Sequence, residues 1–388
     1  MKTILAIDND RWACETYRAN MPGVEVRCEP LRRQWIGDHW VIANDLPKAD
    51  AIVGGPPCQG FSSAGEGKGA DDHRNGWPAF IEAVRTVMPR QFLAENVPGM
   101  LTKKHAPYFR SVVETLAGLG YCIKFRMLDA ANYGTPQFRQ RVFVWGIRTD
   151  LPAVHRWPEE TTSWPKVGRR RGSYEQLPNL PRTPTVAEAL GLGADGSGEL
   201  YRWSDAMLTK HPPAAGDEPA PTIQAKWFKG GAIRFRGRPV DADQALRGTR
   251  VLMGGEPSPC VSGASQELLP IEIDRPSPTL KAGGNVDRFG HLGGAAPPTL
   301  RAGGMMVRRL TPDECLRLQG GPEDWVWPKG ITKTAQYHIV GNGWACPVGA
   351  AMGRAMQEAD PKSETVIDLF CGGGLAAVGM SGRHWRRK

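Results

Sequence analysis

Val366-Ile367-Asp368-Leu369-Phe370-Cys371-Gly372-Gly373-Gly374 reads as a buried strand that runs into a glycine-rich turn with a helix opening behind it. Small residues after a strand let a ligand approach the backbone closely. Ala51-Ile52-Val53-Gly54 has the same design and ends in Gly54-Gly55-Pro56-Pro57. Working outward, residues 3–7, 91–94 and 142–147 read as further strands. Residues 10–20, 80–88, 111–119 and 348–356 carry apolar side chains at helical spacing. This alternation predicts a doubly wound α/β sheet that binds its ligands at the C-terminal ends of the strands.

The chain has 388 residues, 40% hydrophobic and 23% charged, which excludes a mostly disordered protein. No apolar run approaches membrane-spanning length, and the N-terminal apolar stretch stops at Asp8, so a soluble cytoplasmic protein is expected, with no membrane partner. The eight cysteines are scattered without a CxxC pair, which argues against a zinc module and a disulfide framework, and no metal is expected. A net charge of +9 suggests a polyanionic partner.

The texture divides the chain into residues 1–150, 151–304 and 305–388. The middle region is rich in Pro and Gly, and long periodic helices are scarce apart from residues 186–190. A Pro-x-Pro phrase recurs at 218–223, 256–261 and 275–280 and returns in related form at 296–300; each copy reads as a turn followed by a short strand. Thr311-Pro312-Asp313-Glu314 is a helix start, with Thr at the cap and Glu314 placed to cap back.

Three stretches carry chemistry. Pro56-Pro57-Cys58-Gln59-Gly60-Phe61-Ser62 sets a thiol on a turn directly after a strand, where a thiolate can act as a nucleophile or, equally, a small Cys can be buried. Glu95-Asn96-Val97 brings a carboxyl group to the same sheet edge, to serve as a proton donor or as half of a surface ion pair. Gln137, Arg139 and Arg141 share one side of an extended segment, as fixed cations for a phosphate or carbonyl, or as a solvated edge strand.

Taken together, these residues resemble the cytosine-C5 DNA methyltransferase family. GPPCQGFS at 55–62, ENV at 95–97, the YGxPQxRxR block at 133–141, RLTPDECLRLQG at 309–320, Gly341-Asn342-Gly343 and DLFCGGG at 368–374 carry the likeness, over residues 1–150 and 305–380. The resemblance implies a Rossmann-like S-adenosylmethionine-dependent sheet with a smaller, irregular or β-rich target recognition domain at 151–304. It implies Cys58 as the nucleophile at cytosine C6 and Glu95 as the donor at N3. Arg139 and Arg141 would hold the base oxygen and a flanking phosphate, with Gln137 ordering the site. S-adenosylmethionine would be held by Asp368, Phe370, Gly372, Gly373, Gly374 and Pro57, with Asp8 on the ribose, Asn9 and Glu29 at the adenine, and Asn342 at the methionine portion.

DLFxGxGG usually comes first in this family. Here it comes last, which implies a circular permutation with residues 358–364 as the new linker. DLFCGGGL also reads one residue short of the family pattern. For duplex DNA the expected contacts are Lys226, Lys229, Arg234, Arg236 and Arg238, five cations interleaved with aromatics and free of acids. The expected protein is a monomeric DNA methyltransferase, with a cognate restriction endonuclease as a further partner. A tRNA cytosine methyltransferase and a non-catalytic DNA-binding relative remain open at this point.

Overall fold

Alternating apolar side chains sort the sheet onto two cores. The computed structural model describes residues 1–36, 39–57, 75–163, 179–190, 270–272, 299–302, 306–309 and 311–384. Its strands are β1 (Lys2–Asp8), β2 (Glu25–Cys28), β3 (Arg33–Ile36), β4 (His39–Ile42), β5 (Ala51–Gly54), β6 (Gln91–Asn96), β7 (Tyr121–Asp129), β8 (Gln140–Arg148), β9 (Pro270–Glu272), β10 (Thr299–Ala302), β11 (Met306–Arg309) and β12 (Thr365–Leu369). The helices are α1 (Arg11–Asn20), α2 (Trp77–Val87), α3 (Ala106–Gly118), α4 (Val186–Leu190), α5 (Pro312–Leu318), α6 (Lys333–Asn342), α7 (Cys346–Ala359) and α8 (Leu375–Met380).

Seven strands form the main sheet in the order β2-β1-β12-β5-β6-β8-β7. Only β8 is reversed, pairing antiparallel with both β6 and β7. The last strand in the sequence, β12, lies in the middle: Asp368 is opposite Ala6 on one side and Val53 on the other. On one face, Ile52, Phe92, Val144 and Ile367 pack with Trp77, Phe80 and Leu116 of α2 and α3. On the other, Val53, Leu93, Trp145 and Val366 pack with Val348, Met352 and Met356 of α7.

Several element ends differ from the periodicity. α2 and α3 start three to five residues earlier than their apolar stripes, each with Pro in its first turn, where a missing N–H costs nothing. Several elements had no sequence reading, among them the four-residue β2, the hairpin β3–β4, the helix α6 and the edge strand β7, whose Lys124, Phe125, Arg126 and Met127 are all exposed and so lack alternation. The capping box at Thr311 and Glu314 is present, with both reciprocal hydrogen bonds formed. Of the Pro-x-Pro copies, only the last contributes a described strand, β10; the others lie outside the described residues.

Residues past 150 continue to pack on the sheet body. Thr161 and Thr162 donate backbone N–H groups to the Asn132 carbonyl, and the Thr183 hydroxyl donates to the Ala131 carbonyl. Ala189 of α4 is buried against α5.

The segment from α7 to β12 is held firmly to the sheet. Since α7 runs to Ala359, the connection itself is residues 360–364, two shorter than the sequence suggests. Asp360 takes two bonds from Arg90, at 2.6 and 3.0 Å, and one from the Ser363 hydroxyl at 3.0 Å. Asp50 Oδ2 accepts from the backbone N–H groups of Glu364 and Thr365 at 3.0 and 2.9 Å. Asp360→Ala strands the Arg90 charge and is expected to cost about 3 kcal/mol, read from urea unfolding at pH 7. The Arg90 partnership lowers the Asp360 pKa, so its contribution is present at neutral pH and lost as pH falls through that lowered value. The variant should therefore lose less stability on acidification than the wild type.

Candidate active site

The C-terminal ends of β12, β1, β5 and β6 lie side by side, and each delivers one of the stretches singled out by sequence. Behind β12, Phe370 and Gly372 adopt left-handed backbone (φ +53° and +54°), and Gly374 caps α8 at φ +93°. A side chain at Gly373 would collide with Ile339 of α6, so this turn requires glycine for contact as well as for conformation. Set position by position against DLFxGxGG, the turn is not shortened. Leu375, the first residue of α8, stands where the final glycine would be.

Asp8, at the end of β1, binds this turn directly. Its Oδ2 accepts from the Gly372 N–H at 2.8 Å and its Oδ1 from the Asp10 N–H at 2.9 Å. Each oxygen keeps a second lone pair for a hydroxyl donor. Burial raises the Asp8 pKa against these hydrogen bonds. Asn9 is exposed beside it, and Glu29 accepts from Asn44 Nδ2 at 3.0 Å. Asn342 is exposed at the end of α6.

Asp368 lies deeper, 1% exposed, and its Oδ2 accepts from the Tyr17 hydroxyl at 3.2 Å. It underpins the turn, whereas Phe370 and Gly372 border it. Burial, with a smaller contribution from Asp8, pushes its pKa up to about 7. A carboxyl raised in this way favours the folded state below its ordinary range and costs stability as pH rises from about 4 to 7. Asp368→Asn is expected to flatten that dependence and to raise stability at pH 8 by roughly 2–4 kcal/mol, measured as denaturation midpoints across the range.

Past β5, the Gly55-Pro56-Pro57 turn is tied from two sides. Asn96 Nδ2 donates to the Pro56 carbonyl at 3.0 Å, and the Gly76 N–H donates to the Pro57 carbonyl at 2.8 Å. A side chain at Gly76 would strike the Pro57 ring and come within 3.1 Å of Phe370. Pro57 and Gly76 thus meet beside the β12 turn. Cys58 lies outside the described residues, as do Lys226, Lys229, Arg234, Arg236 and Arg238.

Glu95, one residue before the end of β6, lies in a small cleft lined by Arg139, Arg141, Phe143 and Trp344. It is 8% exposed, and its Oε1 pairs with Arg141 Nε at 2.8 Å. Burial raises its pKa and outweighs the opposing pull of Arg141 and Arg139. Arg139, by contrast, is 2% exposed and donates to the carbonyls of Gly341 and Gly343 at 2.9 and 2.8 Å. The structure therefore brings Arg141 to the carboxylate, while Arg139 braces the Gly341-Asn342-Gly343 segment. Gln137 is fully buried on a tight turn, its N–H donating to the Thr135 carbonyl at 2.7 Å.

Two residues in this site escaped the sequence reading. Gln319 is buried and donates to the carbonyls of Val340 and Gly343 at 2.7 and 2.6 Å, so it shares the second acceptor with Arg139. Trp344 is 5% exposed, packs edge-on against Phe143 at 5.1 Å and walls the Glu95 cleft. The signals were available, a Gln inside an otherwise apolar and charged helix end and a Trp directly after Gly341-Asn342-Gly343, but neither residue type names its partner.

A doubly wound sheet with a glycine turn, a strand-end acid and a buried Glu–Arg pair on one edge is an architecture that binds ligands at the C-terminal ends of its strands. Solved structures share this fold. A DNA modification methyltransferase encoded within an E. coli prophage superposes with a TM-score of 0.50 at 21% identity, covering 93% of both chains. A DNMT2 from Spodoptera frugiperda also gives a TM-score of 0.50, at 16% identity over 92% of both chains. The Type II methyltransferase M.MthTI of Methanothermobacter thermautotrophicus is 28% identical over 353 residues, 90% of this chain and 87% of that protein. M.BsuRI of Bacillus subtilis is 31% identical over 225 residues, 58% of this chain and 47% of its own. The C-5 cytosine-specific DNA methylase model matches residues 1–358, and the chain belongs to that family of DNA cytosine methyltransferases. Among the described residues, no helix is long and apolar enough to cross a membrane.

Proposed function

We propose that this protein methylates C5 of a cytosine turned out of duplex DNA, using S-adenosylmethionine and a transient bond to Cys58. The single observation that carries the reading is the convergence of the Pro56–Pro57 turn, Glu95 with Arg141, and the Asp8–Gly372 cradle on one sheet edge.

The residues present fit the cofactor: a turn of three glycines bounded by Phe370 leaves backbone within reach, and Asp8 has acceptor capacity for ribose hydroxyls. Asp8, Phe370, Gly372, Gly373 and Gly374 would hold it, flanked by Asn9, Glu29, Pro57 and Asn342, with Asp368 supporting the turn from below. When bound, it supplies an electrophilic methyl group.

Cytosine C5 is a weak nucleophile inside an aromatic ring. The Cys58 thiolate adds to C6 and Glu95 gives a proton to N3, so the ring's electrons become available at C5. Arg141, paired with Glu95, is placed to meet the base oxygen, while Arg139 and Gln137 keep the cleft wall in position. After C5 has taken the methyl group it loses its proton to water, the C5–H electron pair forms the C5–C6 double bond and expels the Cys58 thiolate, and N3 returns its proton to Glu95. The base must leave the stack first, because neither ring face is accessible within it. Residues 151–304, with the cations at 226–238, would read the duplex sequence. The central place of β12 supports reading the chain as a circular permutation of its family. An endonuclease of the same target is the expected partner, and the enzyme is expected to act as a monomer.

Bisulfite sequencing of DNA from cells expressing the protein is expected to show protected cytosines at one short sequence. Unprotected DNA alongside protected tRNA would overturn the choice of substrate. Protection of neither would overturn the enzymatic reading.

A further inference from the structure

The hairpin β3–β4 has no part in the site described above, yet it presents the largest exposed aromatic surface among the described residues. Trp35, Ile36 and Trp40 are 57, 49 and 42% exposed. Trp35 is directly opposite Trp40, with their rings edge to face at 5.4 Å. At the other end of the same face Ile42 is only 7% exposed, so the hairpin is rooted in the body and its far end stands clear. An isolated two-stranded ribbon is marginal in water, and a cross-strand aromatic pair is a means of stiffening one.

Charge indicates what this ribbon meets. Arg33 lies 4.7 Å above the Trp40 ring, and Arg32 precedes it, exposed. Among the described residues neither arginine has an acidic partner, whereas neighbouring Arg27 is paired with Glu25. Position indicates where the partner lies. Arg33 borders a groove with Pro78, Ile81 and Tyr108, and the Tyr108 hydroxyl accepts from Asn75 Nδ2 at 2.6 Å. Asn75 is where the loop carrying Cys58 rejoins the described chain. The root of the ribbon is thus continuous with the edge that would hold the substrate.

We propose that the β3–β4 ribbon is a second DNA-contacting element, with Arg32 and Arg33 on phosphates of the duplex flanking the target cytosine and the stiffened ribbon lying along a groove. Two-stranded ribbons fit the major groove of B-DNA, and arginines without acidic partners suit the phosphate backbone. The proposal rests on duplex DNA being the substrate.

The test is the salt dependence of binding for the wild type and for Arg32→Gln/Arg33→Gln, on a duplex of about 30 base pairs and on one trimmed to the target site. Each lost phosphate contact lowers the slope of log affinity against log salt by about 0.9, so a fall of roughly 2 is expected on the long duplex, with about tenfold weaker binding at physiological salt. On the trimmed duplex the two proteins should bind alike. Matching thermal melts would show that the variant folds. An unchanged slope on the long duplex overturns the proposal, and so does a change of oligomeric state in place of a change of slope, which would identify the ribbon as a contact between copies. The wild type's own methylation of duplex DNA separates the two ideas: its absence refutes the substrate reading, while its presence with an unchanged slope refutes the ribbon alone.

Discussion

Cys58→Ser leaves the protein able to bind duplex DNA and lowers methyl transfer by at least about 10⁴-fold, the scale on which loss of a covalent nucleophile is felt. The hydroxyl of serine stays protonated at neutral pH and adds poorly to C6. The effect is expected to be confined to chemistry because the turn before Cys58 is held through the Pro56 and Pro57 carbonyls, which accept from Asn96 Nδ2 and the Gly76 N–H. Duplex DNA containing 5-fluorocytosine should form a denaturation-resistant complex with the wild type, because fluorine at C5 cannot leave as a proton does, and none with the variant. Near-normal turnover of Cys58→Ser would refute covalent catalysis.

Glu95→Gln is expected to reduce kcat by about 10²–10⁴-fold. The amide keeps the shape of the side chain and an acceptor for Arg141 but has no proton to give to N3. Burial holds the Glu95 pKa above the ordinary carboxylate range despite Arg141. The wild-type rate should therefore fall as pH rises through that raised value, since the protonated acid is the active form. The variant should lose this limb of the profile, and a pH–rate comparison checks it. A Gln variant that kept both rate and profile would assign Glu95 to structure alone.

Much of this arrangement was legible from residues alone, for identifiable reasons. β1, β5, β6 and β12 are short apolar runs closed by acids or glycines, so both their existence and their functional ends could be read. What periodicity missed lacks periodicity: β7 is an edge strand exposed along four consecutive residues, and the hairpin β3–β4 leaves both of its tryptophans exposed. In the site, residue types announced chemistry but not commitments. Arg139 and Arg141 looked equivalent, two residues apart on one face, yet one braces backbone carbonyls and the other pairs with Glu95. Only the packing of Gly341–Gly343 beside β8 distinguishes them. Asp368 reads as a ligand contact by its motif, while the structure shows it 1% exposed and accepting from the Tyr17 hydroxyl.

The position of β12 bears on how the chain is made. Its partners β1 and β5 precede it by more than three hundred residues, and the slot between them stays empty until residues 365–369 have been synthesised. Nascent chains normally fold domain by domain, and unpaired strand edges invite wrong associations. Here two buried edges wait for the strand that joins them, a closure spanning 364 positions between Asp8 and Gly372. Closure of the sheet should consequently be slow, and a chaperone that shields the open slot should raise the yield of folded protein.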